Sequence, residues 1–126
     1  MLNNLYELPV PSTALLSGVS LQILPKRTVA LMCDYEDESD EIISLKLVFE
    51  GVEAFKCTYY KACKEELIKA AYDKVVDIGA SDWFTEITER LSGAVIDVPA
   101  LQHLVIYFDD GPCYEFICRE FRVEKG

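Results

Sequence analysis
One change of period constrains this chain more than any other feature. Between residues 62 and 78, Leu67, Ile68, Ala71, Tyr72, Val75 and Ile78 recur at three- and four-residue spacing against Lys64, Glu65, Lys69, Asp73 and Asp77, the pattern of an amphipathic helix. On either side the period falls to two. Ile43, Leu45, Leu47 and Phe49 share one face opposite Ser44, Lys46 and Glu50, and residues 102–108 and 113–119 also carry strand text. Strands, then helices, then a hairpin predict an α+β fold with a largely antiparallel sheet. We expect a single two-layer domain over residues 1–126, with a sheet of about five to seven strands and two central helices packed on one face.

Local signals place the elements. Residues 1–18, with Pro9, Pro11 and Ser17-Gly18, read as irregular. Val19, Leu21 and Ile23 alternate with polar residues, Pro25-Lys26-Arg27 interrupts, and apolar text resumes from Thr28 to Cys33, which predicts a hairpin. The 42–50 and 52–60 runs are expected to pair antiparallel across a tight Glu50-Gly51 turn. Gly79 reads as the C′ residue of the helix, and Ser81 or Asp82 as the cap of a shorter second helix bearing Trp83, Ile87 and Leu91 on one stripe. Strand text returns after Asp97-Val98-Pro99, and a short tail strand runs through Val123.

The last hairpin can be read for register. An even loop would pair Ile106 with Glu115 and mix charge into an apolar face. An odd loop centred on Gly111 aligns Leu104, Ile106 and Phe108 with Tyr114, Phe116 and Cys118 instead, and we expect that arrangement. His103, Val105, Tyr107, Cys113, Glu115, Ile117 and Arg119 then form a mixed opposite face, expected to be covered only in part, with the helix pair on the first face.

Composition narrows the chemistry. Of the 126 residues 51% are hydrophobic, enough for a core without disulfide or metal staples. Lys and Arg number 12 against 22 Asp and Glu, for a formal charge of −10. Scattered cations on an acidic chain argue against nucleic acid and against anionic membrane surfaces. No apolar run approaches the roughly 18 residues of a membrane span. The N-terminus lacks the basic and apolar regions of a signal peptide, so a cytoplasmic location is expected. The five cysteines, Cys33, Cys57, Cys63, Cys113 and Cys118, show no C-x-x-C spacing, and most of them read as small buried residues.

No catalytic set is evident. His103 is the one histidine, so any Ser/His or Cys/His scheme must use it, and the strand reading makes it a partly exposed strand residue. Asp109-Asp110-Gly111 supplies two acids at a hairpin tip, where such residues also serve the turn itself. Six carboxylates fall within residues 34–41, yet Ser39 stands where a calcium loop needs glycine. Phosphate-loop, dinucleotide, esterase-elbow and zincin motifs do not occur. We expect no cofactor, no metal and no enzymatic activity.

The Gly51-Val52-Glu53-Ala54-Phe55-Lys56 run, the Ala71-Tyr72-Asp73-Lys74 stretch of the expected helix and the closing Tyr107-Phe108-Asp109-Asp110-Gly111-Pro112-Cys113-Tyr114-Glu115-Phe116 hairpin resemble small uncharacterised bacterial proteins, a domain of unknown function, some of which belong with toxin-immunity systems. The resemblance covers residues 42–121 and transfers no active-site residue. The expectation is therefore a small acidic protein that binds a basic protein partner, in the manner of an immunity protein. Glu36, Asp37, Glu38 and Asp40 of the acidic run, with Tyr107, Asp109 and Asp110, are the candidate contact residues. The alternative is a small-ligand or metabolic module with a pocket near the 109–112 turn, and either role is compatible with a homodimer.

Overall fold
The computed structural model describes residues 2–93, 100–109 and 112–125. Nine strands and two helices are present among them: β1 (Asn3–Glu7), β2 (Ser20–Leu24), β3 (Thr28–Glu36), β4 (Ile42–Glu50), β5 (Ala54–Thr58), α1 (Glu65–Ala71), β6 (Lys74–Asp77), α2 (Asp82–Arg90), β7 (Gln102–Tyr107), β8 (Cys113–Cys118) and β9 (Glu120–Lys125). The α+β class holds. The strands number more than five to seven, however, and they form two antiparallel sheets, β1-β6-β7-β8-β5 and β2-β3-β4-β9.

The two sheets face each other over one core. Val29, Leu31, Leu45, Leu47 and Phe49 of the second sheet meet Val75, Leu104, Ile106, Phe116 and Cys118 of the first. Phe49 and Phe116 stack across the interface with centroids 3.8 Å apart. The helices lie on the other side of the five-stranded sheet, where Leu67 and Ile68 of α1 pack on Val76, Val105, Tyr107 and Cys113. Three layers therefore replace the expected two.

The odd parity of the last hairpin and its shared faces are present, but the pairing is centred one residue before Gly111, so each partner shifts by two from the expected alignment. Leu104 pairs with Phe116, Ile106 with Tyr114, and Tyr107 with Cys113. What covers each face differs from expectation: the apolar face meets the second sheet, and the mixed face lies under the helices. His103, Val105, Tyr107, Cys113, Glu115 and Ile117 are all buried.

Other departures have local causes. β4 and β5 do not pair with each other; the chain turns a corner at Gly51, passing from one sheet to the other while β8 and β9 turn with it. Glu50 pairs with Glu120 before the corner and Ala54 with Ile117 after it. Gly51 has φ +64°, and a Cβ there would stand 2.8 Å from Arg119 Cδ. The first helix stops at Ala71 rather than reaching Ile78. Asp73, at φ +58°, reverses the chain, and Val75 and Val76 enter the sheet between β1 and β7. Asn3–Glu7, read as irregular, is the edge strand β1. The segment Asp97-Val98-Pro99 lies outside the described residues.

Candidate functional site
The acidic run becomes a hairpin rather than an open loop. β3 extends through Glu36 and β4 begins at Ile42, so residues 37–41 form the connection. Asp37 Oδ1 accepts from the backbone N–H groups of Ser39 at 2.8 Å and Glu41 at 3.0 Å, and Asp40 sits at φ +60°. Asp37 thus organises the turn, a local role that suits a short carboxylate. Glu36, Glu38, Asp40 and Glu41 are exposed, and no ion pair among the described residues engages any carboxylate of the run.

Two further carboxylates lie at the same end. Ser12 donates its N–H to Asp73 Oδ2 at 3.1 Å and accepts the N–H of Asp109 on its hydroxyl at 2.8 Å. Four residues later the Leu16 N–H donates to the Asp34 carbonyl. That bridge spans at most about 14 Å of chain, so Asp109 and Asp34 share one end of the molecule. Asp109 Oδ1 accepts from the Tyr72 hydroxyl at 2.5 Å, and this bond pushes the Tyr72 phenol up to about 12. Tyr107 is only 2% exposed, its ring 5.9 Å from that of Tyr72, so it offers no surface to a partner. Asp110 lies outside the described residues.

A second constellation forms under the helices. The strand pairing sets His103 and Glu115 diagonally on adjacent strands, both facing outward from the sandwich core and both buried. Glu115 Oε1 is 2.9 Å from His103 Nε2, and Ser81 Oγ is 2.6 Å from His103 Nδ1. In a neutral imidazole one nitrogen donates and the other accepts. An ionised carboxylate can only accept, so with the imidazole neutral and Glu115 ionised, Nε2 donates to Glu115 and Nδ1 accepts the Ser81 hydroxyl proton. Ser81 is also the cap of α2, accepting the Phe84 N–H at 3.0 Å.

Around this array lies a pocket of about 170 Å³ whose lining includes Lys56, Thr58, Cys63, Leu67 and Trp83. Lys56 Nζ stands 3.8 Å from Glu115 Oε2 and 4.3 Å from the centroid of the Trp83 ring, which in turn makes a T-shaped contact with His103. The pocket that His103 lines therefore opens beside α2 rather than at the 109–112 turn. The face that carries His103 and Glu115 is legible from the odd register; Ser81 is legible only as a helix cap, because nothing in the local spacing brings α2 over β7.

The three buried thiols, Cys33, Cys113 and Cys118, are poor candidates for nucleophiles, whereas Cys57 is exposed and Cys63 partly so. Burial pushes Cys33 up to about 11 and Cys118 up to about 12, and burial with Cys63 alongside raises Cys113 well above the ordinary range. The thiolate is the reactive form, so these groups remain inert near neutrality. Among the described residues no group of three or more His, Cys, Asp or Glu is placed to hold a metal ion, and no helix is long and apolar enough to cross a membrane. Comparison of the chain with family models, curated proteins and solved structures returns no match.

Proposed function
We propose that this chain is a small acidic binding protein that masks a basic protein partner, in the manner of an immunity protein held against a nuclease-type toxin. The observation that carries the reading is the 37–41 hairpin: its backbone is held by Asp37, and among the described residues no cation forms an ion pair with the exposed Glu36, Glu38, Asp40 or Glu41. A pre-shaped tip of one sign attracts an oppositely charged surface over the Debye length and loses little entropy when it docks. Asp109 at the same end extends the field. The formal charge of −10 acts in the same direction at longer range.

The test is capture of the partner from the native cell, followed by association kinetics at several salt concentrations. A basic partner should bind faster at low salt, and the triple variant Glu36→Gln, Glu38→Gln, Asp40→Asn should slow association about tenfold or more without lowering the unfolding midpoint. An association rate indifferent both to salt and to that variant would remove the proposal. Self-association is the competing reading and would use a different surface, where Ile23 on the β2 edge is 70% exposed and Phe55 on the β5 edge 37%. Sedimentation of the purified chain at rising concentration separates the two.

A further inference from the structure
The array under the helices has the parts of a nucleophilic acyl-transfer site. We propose that Ser81, His103 and Glu115 act as nucleophile, base and orienting carboxylate toward a short-chain carboxylic ester bound in the adjacent pocket. Three geometric observations support it. The hydroxyl, both ring nitrogens and the carboxylate lie in one chain of hydrogen bonds of 2.6 and 2.9 Å, within the range that proton transfer needs. The imidazole is fixed on both sides, by Glu115 at Nε2 and by the Trp83 ring 5.1 Å away, so it is pre-organised. The third is the open volume of about 170 Å³ beside the array, well below the roughly 300–1,000 Å³ of drug-sized sites, which restricts the occupant to a short acyl group.

The bond changes close on these residues and water. Ser81 Oγ attacks the ester carbonyl carbon while its proton passes to His103 Nδ1. The bond from that carbon to the alcohol oxygen breaks, and the leaving alkoxide takes the proton from Nδ1. Water then attacks the Ser81 ester, giving a proton to Nδ1; the acyl–Oγ bond breaks, Oγ recovers that proton, and a carboxylic acid leaves. Glu115 remains hydrogen-bonded to Nε2 throughout and stabilises the transient imidazolium, as the carboxylate of a serine triad does. The Phe84 N–H is compatible with this sequence, because it occupies one lone pair of Oγ, leaves the other for attack, and favours the charge that Oγ takes on as the leaving group in the second step.

A purely structural cap would make the same Phe84 bond, so the experiment must separate capping from chemistry. The full chain is assayed with p-nitrophenyl acetate and p-nitrophenyl butyrate, and the acylated protein is trapped and mapped by peptide mass. The parent should turn over the acetate faster than the butyrate and carry the acyl group on Ser81. Ser81→Asn retains a good capping residue and should keep the parent's melting temperature while losing turnover. His103→Gln should lower kcat/KM about 100-fold or more. Glu115→Gln should lower kcat with KM within about twofold, as expected of a positioning residue. Turnover equal in the parent and in Ser81→Asn, or an acyl group found on Lys56 or another side chain and absent from Ser81, overturns the proposal.

Discussion
Gly51 carries more of the architecture than any other single residue. It stands where two paired strands bend together from one sheet into the other, and its φ of +64° lies in the region that side chains avoid. A methyl group there would also meet the stem of Arg119 at 2.8 to 3.0 Å. Gly51→Ala should therefore cost about 1–3 kcal/mol, read as a lower urea midpoint at unchanged slope. Gly18, at φ +71° with nothing near its missing Cβ, provides the control: Gly18→Ala should cost less, because it suffers the backbone strain alone. Equal losses at the two sites would show that the contact with Arg119 is immaterial. At the same scale, the sequence places Glu115 and His103 on one face of a hairpin, but a diagonal pair on a face becomes a hydrogen bond only when burial excludes water from it.

At the scale of elements, β6 shows where local pattern loses to pairing. Val75 fits a helical stripe running from Leu67 to Ile78, yet it and Val76 occupy a strand between β1 and β7, and each is fully buried on an opposite face. Val75 faces the core between the sheets and Val76 the layer beneath α1. Helix propensity differs by only tenths of a kcal/mol per residue, whereas burying a valine is worth about 1.5–3 kcal/mol. Alanine is the better helix former, so the substitution separates the two readings: Val75→Ala and Val76→Ala should each destabilise the protein by about 1–3 kcal/mol in chemical denaturation. A neutral or stabilising result would mean that these residues belong to a helix after all. By contrast α2 follows its local signals closely. Ser81 caps it as the sequence implies, because a cap needs only residues within one turn of chain.

For the whole molecule, acid and alkali act through different groups. Crowding of unpaired carboxylates at one end is a repulsion that salt screens, so the melting temperature should rise between low and moderate ionic strength. The variant Glu36→Gln, Glu38→Gln, Asp40→Asn should show a smaller rise. At high pH the buried acids dominate. Cys33 is raised from 9.0 to about 11, Cys118 from 9.0 to about 12 and Tyr114 from 10.0 to about 12, chiefly by burial. Each favours its neutral form more strongly in the fold than in the unfolded chain. The stability they support is complete below their ordinary values and is lost as pH climbs toward 11 and 12. Melting in reducing buffer should therefore fall steadily above about pH 9, and a flat profile to pH 11 would contradict it. The sequence by itself determined the α+β class, the capped second helix, the odd parity of the final hairpin and the residues that share each of its faces, because period and turn length act over a few residues. Only the tertiary structure decided that a second sheet covers one face and helices the other, that the first helix yields to a strand, and that Ser81 meets His103. Those outcomes depend on which distant segments bury one another's surface, a competition whose terms are spread along the whole chain.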